Sequence, residues 1–134
     1  MSVRRFIDTN ILIYAFSPAG PKVAVAEQVM ADGGVISVQI LNEFANVCRR
    51  KLGMSWAEIA DDVALIGAAM SPILPLTPET HESARTIAER YKIAFHDALL
   101  IASAVEAGCD TLLTEDLHNG AAIEGVTIRN PFLS

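Results

Sequence analysis

The chain has 134 residues, enough for one domain with a proper buried core, and its balance of 51% hydrophobic to 19% charged residues excludes an extended disordered tail. No apolar run reaches the ~18 residues of a membrane span, and the amino end lacks the long apolar region and small-residue cleavage site of a secretory signal. The net charge of −6 argues against a passive basic nucleic-acid binder, though not against an enzyme that meets phosphates through a bound cation. The expectation is a single cytoplasmic domain over residues 1–134.

Taken in order, Val3 to Ile7 reads as a short buried strand interrupted by Arg4 and Arg5, and it stops on Asp8. A helix follows through Ile11-Leu12-Ile13-Tyr14 and fades at Ser17-Pro18. A second, Lys22 to Ala31, ends at Gly33-Gly34. Val35-Ile36-Ser37-Val38 is a second strand. Ile40, Leu41, Phe44, Ala45, Val47 and Cys48 then recur at helical spacing, which leaves Asn42, Glu43, Asn46, Arg49 and Arg50 nearer the other side. Gly53 closes that helix. Ser55, with Glu58 three residues on, forms a capping box for the next, which runs to Met70. Ile73-Leu74-Pro75-Leu76 is a third strand whose proline predicts an edge position. Thr77-Pro78 starts a helix that carries Ala84, Ile87, Ala88 and Tyr91.

After the connector Lys92 to His96, Asp97 opens a helix from Ala98 to Val105 that is apolar nearly all round, hence buried on most sides, and Gly108 ends it. Thr111 to Thr114 is a fourth strand, stopping on Glu115-Asp116, and Val126-Thr127-Ile128 is a fifth. Short strands alternating with helices predict an α/β fold of three layers, α/β/α, around a mostly parallel five-stranded sheet. Cys48 and Cys109 lie in apolar helical patterns without metal-ligand spacing and read as reduced core residues.

Within that architecture four acids converge. Asp8 and Asp116 each follow the end of a strand, and Glu43 lies in the first turns of the helix after strand two. The connector before Asp97 spans ~17 Å when extended, at about 3.3 Å per residue, so Asp97 reaches the same edge. If strands one and four are neighbours, the acids face the crevice at the topological switch point. Taken one at a time, Asp97 and Asp8 also read as helix caps, Glu43 as a solvated face and Asp116 as a turn residue. Clustered unpaired carboxylates repel and raise one another's pKa values, so the cluster suits a hard cation such as Mg²⁺ or Mn²⁺. Such an ion activates water and neutralises charge developing on a phosphodiester.

These stretches resemble a known family. Phe6-Ile7-Asp8-Thr9-Asn10, Ser37-x5-Glu43-Phe-Ala-Asn-Val, His96-Asp97-Ala-Leu-Leu-Ile-Ala-Ser-Ala and Leu113-Thr114-Glu115-Asp116 are similar, in order, to the acidic motifs of PIN-domain ribonucleases, above all the VapC-type toxins of toxin–antitoxin pairs. The tail from Glu115 through Asn130-Pro131-Phe132 looks like one subgroup of them, so the resemblance runs from about Val3 to Phe132. It implies a five-stranded parallel sheet, a Mg²⁺ or Mn²⁺ site, cleavage of single-stranded RNA, a homodimer and a small antitoxin that occludes the site. Carried over by position, Asp8, Glu43, Asp97 and Asp116 are the catalytic, metal-binding acids, supported by Thr9, Asn10 and Thr114. Leu117-His118-Asn119-Gly120 departs from the Asp-x-x-Phe-like segment that many members carry after the fourth acid. Glu115 stands beside Asp116 as a rival ligand, and motif register favours Asp116.

One carboxylate, such as Glu43, would assist as base. Arg49, Arg50 and Lys51 are candidates for contacts with an RNA backbone, or equally for cations that suit a helix C-terminus. His96 reads as structural before it reads as a proton shuttle, His81 and His118 carry no sharper role, and Trp56 reads as a packing anchor. A phosphate-accepting receiver domain would want an acidic pair near Asp8 and a Lys after the last strand, and Ile7-Asp8 and Arg129-Asn130 supply neither. A haloacid dehalogenase-type phosphatase would want Asp where Asn10 stands. The remaining alternative is a catalytically silent binding module.

Overall fold

The structure is a computed structural model that describes residues 4–133. Its elements run β1 (Arg5–Ile7), α1 (Thr9–Ala15), α2 (Val23–Asp32), β2 (Gly34–Ser37), α3 (Val38–Arg50), α4 (Trp56–Ala69), β3 (Met70–Leu74), α5 (Pro78–Tyr91), α6 (Phe95–Glu106), β4 (Thr111–Leu113), β5 (Ala122–Ile123) and β6 (Val126–Arg129). The sheet order is β3-β2-β1-β4-β6-β5. Every neighbouring pair is parallel except β5 with β6. The expected mostly parallel α/β architecture is therefore present, with six strands in place of five. The extra strand is the two-residue β5, too short to show an alternation in the sequence.

β1 and β4 are neighbours, paired Phe6 to Leu112 and Ile7 to Leu113. From β1 the chain steps through β2 to β3 on one side, and from β4 to β6 and β5 on the other. The switch point thus lies at the carboxyl ends of β1 and β4. Tight packing of β1 on β2 depends on Gly34, where an added Cβ would lie 2.9 Å from Ile7 Cγ1 and 3.0 Å from the Arg5 carbonyl oxygen. Arg5 keeps its charged end off the core by donating from Nη2 to the Gly33 carbonyl at 2.7 Å. That contact explains an arginine inside a buried strand.

The core holds Phe6, Ile7, Ile11, Leu12, Ile36, Ile40, Phe44 and Ile101, together with the two reduced cysteines, Cys48 and Cys109. Helix α6 has seven buried residues from Ala98 to Ala104 and packs against β1, β4 and β6. Among the described residues no helix is long and apolar enough to cross a membrane.

Several boundaries move. Val3, read as strand, lies outside the described residues. β3 begins at Met70, three residues before the expected Ile73, and it does occupy an edge. The capping box at Ser55 is formed, with Glu58 returning a bond to the Ser55 amide at 2.9 Å. α6 starts at Phe95 rather than Asp97, because its N-cap is Ala94, which makes no side-chain cap. Asp97 is therefore an acid in the first turn, suited to the helix dipole, and His96 enters the helix. Trp56 is 62% exposed, which corrects its reading as a packing anchor: it opens α4 at the surface beneath the Arg49 guanidinium, 5.4 Å from the ring centre.

Candidate metal centre

Asp8 leaves β1 in extended conformation and does two things at once. Its Oδ1 accepts the Thr9 N–H at 2.7 Å, capping α1, while Oδ2 accepts the Thr114 hydroxyl at 2.7 Å. Its own N–H donates to the Leu113 carbonyl at 3.0 Å, extending the β1–β4 ladder by one rung. One oxygen thus serves the helix cap and the other the exit of β4. The side chain is only 3% exposed. Burial pushes its carboxyl up, the bonds from Thr114 and Thr9 pull it back, the Asp116 charge raises it and His96 lowers it; the net direction is upward.

Glu43 comes from the second turn of α3, which starts just after β2 ends. Its Oε2 accepts the Thr9 hydroxyl at 2.9 Å and its Oε1 the Gln39 amide at 2.9 Å, so α1 and α3 jointly fix it. His96 Nδ1 lies 3.3 Å from Oε1. From the other side of the crevice Asp97, half-buried in the first turn of α6, has its carboxyl raised by burial, lowered by His96 and raised by the charge of Asp116.

Thr114, fully buried, ties the two strand ends together. Its hydroxyl donates to Asp8 and accepts the Asp116 N–H at 3.1 Å, while its own N–H donates to the Arg129 carbonyl at 3.0 Å. Asp116 itself is exposed, with Asn10 Nδ2 at 3.5 Å from Oδ2. Glu115 turns elsewhere: Oε1 accepts the Tyr14 hydroxyl at 2.6 Å and Oε2 meets Lys22 Nζ at 2.5 Å. The segment after Asp116 folds back on β6, with Gly120 N–H on the Ile128 carbonyl at 2.8 Å.

Among the described residues, Asp8, Glu43 and His96 each offer a donor atom, all within 4.8 Å of one another. An octahedral ion with bonds of about 2.1 Å places its ligand atoms about 3 to 4 Å apart, so this donor set fits a small divalent cation. Asp97 and Asp116 stand outside that triad, and the Asp116 charge raises the carboxyls of both Asp8 and Asp97. His96, which the sequence presents as a residue before the helix, lies inside α6 because the helix extends back to Phe95, and its Nδ1 faces Glu43. Arg49 and Arg50 are both exposed, and Arg49 Nη1 donates to the Met54 carbonyl at 3.0 Å, closing the turn after α3.

A model of the PIN domain matches residues 5–118. Among curated proteins none matches the chain. The chain is similar in structure to a toxin–antitoxin complex from Klebsiella pneumoniae, with a TM-score of 0.68, 21% identity and coverage of 97% of this chain and 98% of that one. It is similar also to VapC20 of Mycobacterium tuberculosis, a sarcin-ricin loop cleaving toxin, at 0.68 and 17% identity over 84% of this chain and 91% of that one. FitAcB from Neisseria gonorrhoeae follows at 0.63 and 19% identity, covering 96% and 98%. With the acids of β1, α3, α6 and the β4 exit gathered at one switch point and the family model spanning most of the sequence, the chain belongs to the PIN domain family.

Proposed function

We propose that this chain is a metal-dependent endoribonuclease that cleaves single-stranded RNA, and that it acts as the toxin of a type II toxin–antitoxin pair. The observation that carries the reading is the convergence of Asp8, Glu43 and His96 donor atoms beside Asp97 and Asp116. Family membership supports nuclease chemistry, and toxin–antitoxin proteins among its structural neighbours support the biological role. In this reading the whole chain, 1–134, works as one cytoplasmic domain, forms a homodimer and is held in check by a small antitoxin protein.

Asp8, Glu43 and His96 would hold the ion, Mg²⁺ or Mn²⁺, with Asp97 and Asp116 completing its charge balance. When bound, the ion supplies Lewis-acid stabilisation of a phosphodiester and activates water. The rest falls to the side chains. Thr114 and the Thr9 amide orient Asp8, and Thr9 and Gln39 hold both oxygens of Glu43. Asp97, its carboxyl raised by burial and by Asp116, would accept the proton, since both oxygens of Glu43 are already engaged by Thr9 and Gln39. Thr9, Asn10 and Thr114 support the acids without reacting. Leaving-group protonation falls to water at this open edge.

The test is cleavage of a mixed single-stranded RNA pool by the purified, antitoxin-free protein with Mg²⁺, Mn²⁺ or EDTA, alongside Asp8→Asn and Asp97→Asn with folding checked by circular dichroism. Metal-dependent cutting lost in both folded variants supports the reading. A folded protein that neither cuts nor binds Mn²⁺ by calorimetry is a silent binding module instead.

A further inference from the structure

The two consecutive acids at the end of β4 are handled in opposite ways. Among the described residues the Asp116 carboxylate has one side-chain hydrogen-bond partner, Asn10, at the long distance of 3.5 Å, so its own contacts do little to hold it. Glu115 is saturated. Tyr14 from α1 donates to one oxygen and Lys22, at the entrance of α2, pairs with the other. The Lys22 ammonium also lies 4.9 Å from the centre of the Tyr14 ring and 5.2 Å from that of Phe132, within cation–π range of both. The two rings meet edge-on at 5.3 Å. Phe132 is held in turn: its N–H donates to Asn130 Oδ1 at 2.9 Å, and the Asn130 N–H to Asn119 Oδ1 at 2.8 Å.

Tyr14 and Lys22 thus close on the Glu115 carboxylate, with Phe132 packed against both, and neither of its oxygens belongs to the Asp8–Glu43–His96 triad. The clamp holds Glu115, and the Thr114 hydroxyl accepts the N–H of the next residue, so the backbone leading into Asp116 is fixed at two points. The clamp also neutralises Glu115, so that the strand end offers one carboxylate rather than two. We propose that Lys22 and Tyr14, acting through Glu115, are positioning residues that set Asp116 in the metal centre. The inference rests on the reading of that crevice as a metal centre.

The test is a Mn²⁺ titration by calorimetry of the whole chain and of Lys22→Met, Glu115→Gln and Lys22→Arg, each made with Asp116 intact and with Asp116→Asn. Metal-free thermal melts run alongside. With Asp116 present, Lys22→Met and Glu115→Gln should each weaken Mn²⁺ binding about tenfold, the lower end for partners that orient ligands. Lys22→Arg should keep most of the affinity. In the Asp116→Asn background the clamp variants should cost no further affinity, a coupling that a merely structural role would not give. An equal loss in both backgrounds overturns the proposal, and so does no loss, or a gain through a freed Glu115. Asp8→Asn at wild-type affinity sinks the metal-centre reading as a whole. Asp116→Asn at wild-type affinity beside a weakened Asp8→Asn removes Asp116 from the centre, and this inference with it.

Discussion

On either side of the β4 exit the protein treats negative charge differently. Around Glu115 the charge is answered: burial alone would raise the carboxyl, but the bonds from Lys22 and Tyr14 hold it below the usual carboxylate range. Glu124, likewise, pairs with Arg90, and Glu58 is lowered by the Ser55 amide and hydroxyl of its capping box. Across Thr114 the pattern reverses. Asp8 and Asp97 are both pushed up, chiefly by burial and further by Asp116, while His96 lowers both; the hydrogen-bond partners of the Asp8 carboxylate are a neutral hydroxyl and a backbone amide. A raised carboxyl is not by itself a mark of a site, for Asp62 on α4 is raised by burial and by Asp61 and Glu58. What separates the crevice is that donor atoms from three elements converge there. Carboxylates gathered in this way cost stability unless a cation sits among them.

Removing the centre of that arrangement should have the largest effect. Asp8→Asn keeps the size and the Thr9 cap but loses the charge, and we expect RNA cleavage to fall by at least about a hundredfold, beyond the range for residues that merely orient a ligand. Cleavage rates in Mn²⁺, with melting curves to show the variant folded, check it. Full activity in Asp8→Asn would break the contrast between the two sides of β4 outright.

Thr114→Val comes next. The substitution keeps the shape while deleting the hydroxyl shared by the buried Asp8 carboxylate and the part-buried Asp116 amide. Leaving buried groups unpaired costs about 1–3 kcal/mol, measurable by urea unfolding of the metal-free chain. Mn²⁺ affinity should drop roughly tenfold at the same time, because both strand-end acids lose their common anchor. A stability loss with unchanged affinity would make Thr114 a core residue only.

Asp97→Asn should sharpen the contrast through pH. Because the Asp97 carboxyl titrates higher in the folded chain than its ordinary value of 3.8, the folded chain holds more protons than the unfolded one in the window above that value. Metal-free stability therefore falls as pH rises through the window, then levels off. Asp97→Asn removes its share of the fall, so it should match wild type near pH 4 and be the more stable of the two at about pH 7. Glu115 contributes the opposite slope, stability lost as pH falls through its lowered value, but it is common to both proteins and cancels in the difference. Added Mn²⁺ should favour wild type over the variant at neutral pH. Denaturant midpoints at several pH values, with and without Mn²⁺, decide it, and a variant that loses stability at neutral pH contradicts the sign.

How much of this was legible follows from range. Asp8, Glu43 and Asp116 could be sent to one edge because parallel α/β units place strand ends and the starts of following helices there. That is a short-range rule applied three times. His96 was set aside because Asp97, a good capping residue, looked like the start of α6, whereas the observed N-cap is Ala94, which carries no signal. The family resemblance marks Thr114 as a supporting residue, but its two bonds, to Asp8 and to the Asp116 amide, exist only once β1 and β4 pair. The Lys22–Glu115 contact joins residues 93 apart, beyond any local pattern. Trp56 was misplaced because bulk suggests burial, while its position at the start of α4 put it in solvent beside Arg49.

The smallest expected effect separates the two arginines at the end of α3. Arg49 is engaged by the Met54 carbonyl and the Trp56 ring, and its work is to close the turn into α4. Arg50 follows Glu43 by seven residues, two turns, so it lies on nearly the same helix face about 10 Å farther along the axis. An RNA strand crossing the crevice would meet Arg50 there. Arg50→Ala should weaken RNA binding by the catalytically inert Asp8→Asn protein a few-fold and reduce the salt dependence by about 0.7 in log–log slope, the loss of one phosphate contact to a single strand. Arg49→Ala should leave that slope unchanged while lowering stability by about 1 kcal/mol, the worth of an ordinary hydrogen bond. Binding titrations at several salt concentrations read the first effect and denaturant midpoints the second. If the two variants exchange results, Arg49 belongs to the RNA path and the strand leaves the metal centre toward Trp56.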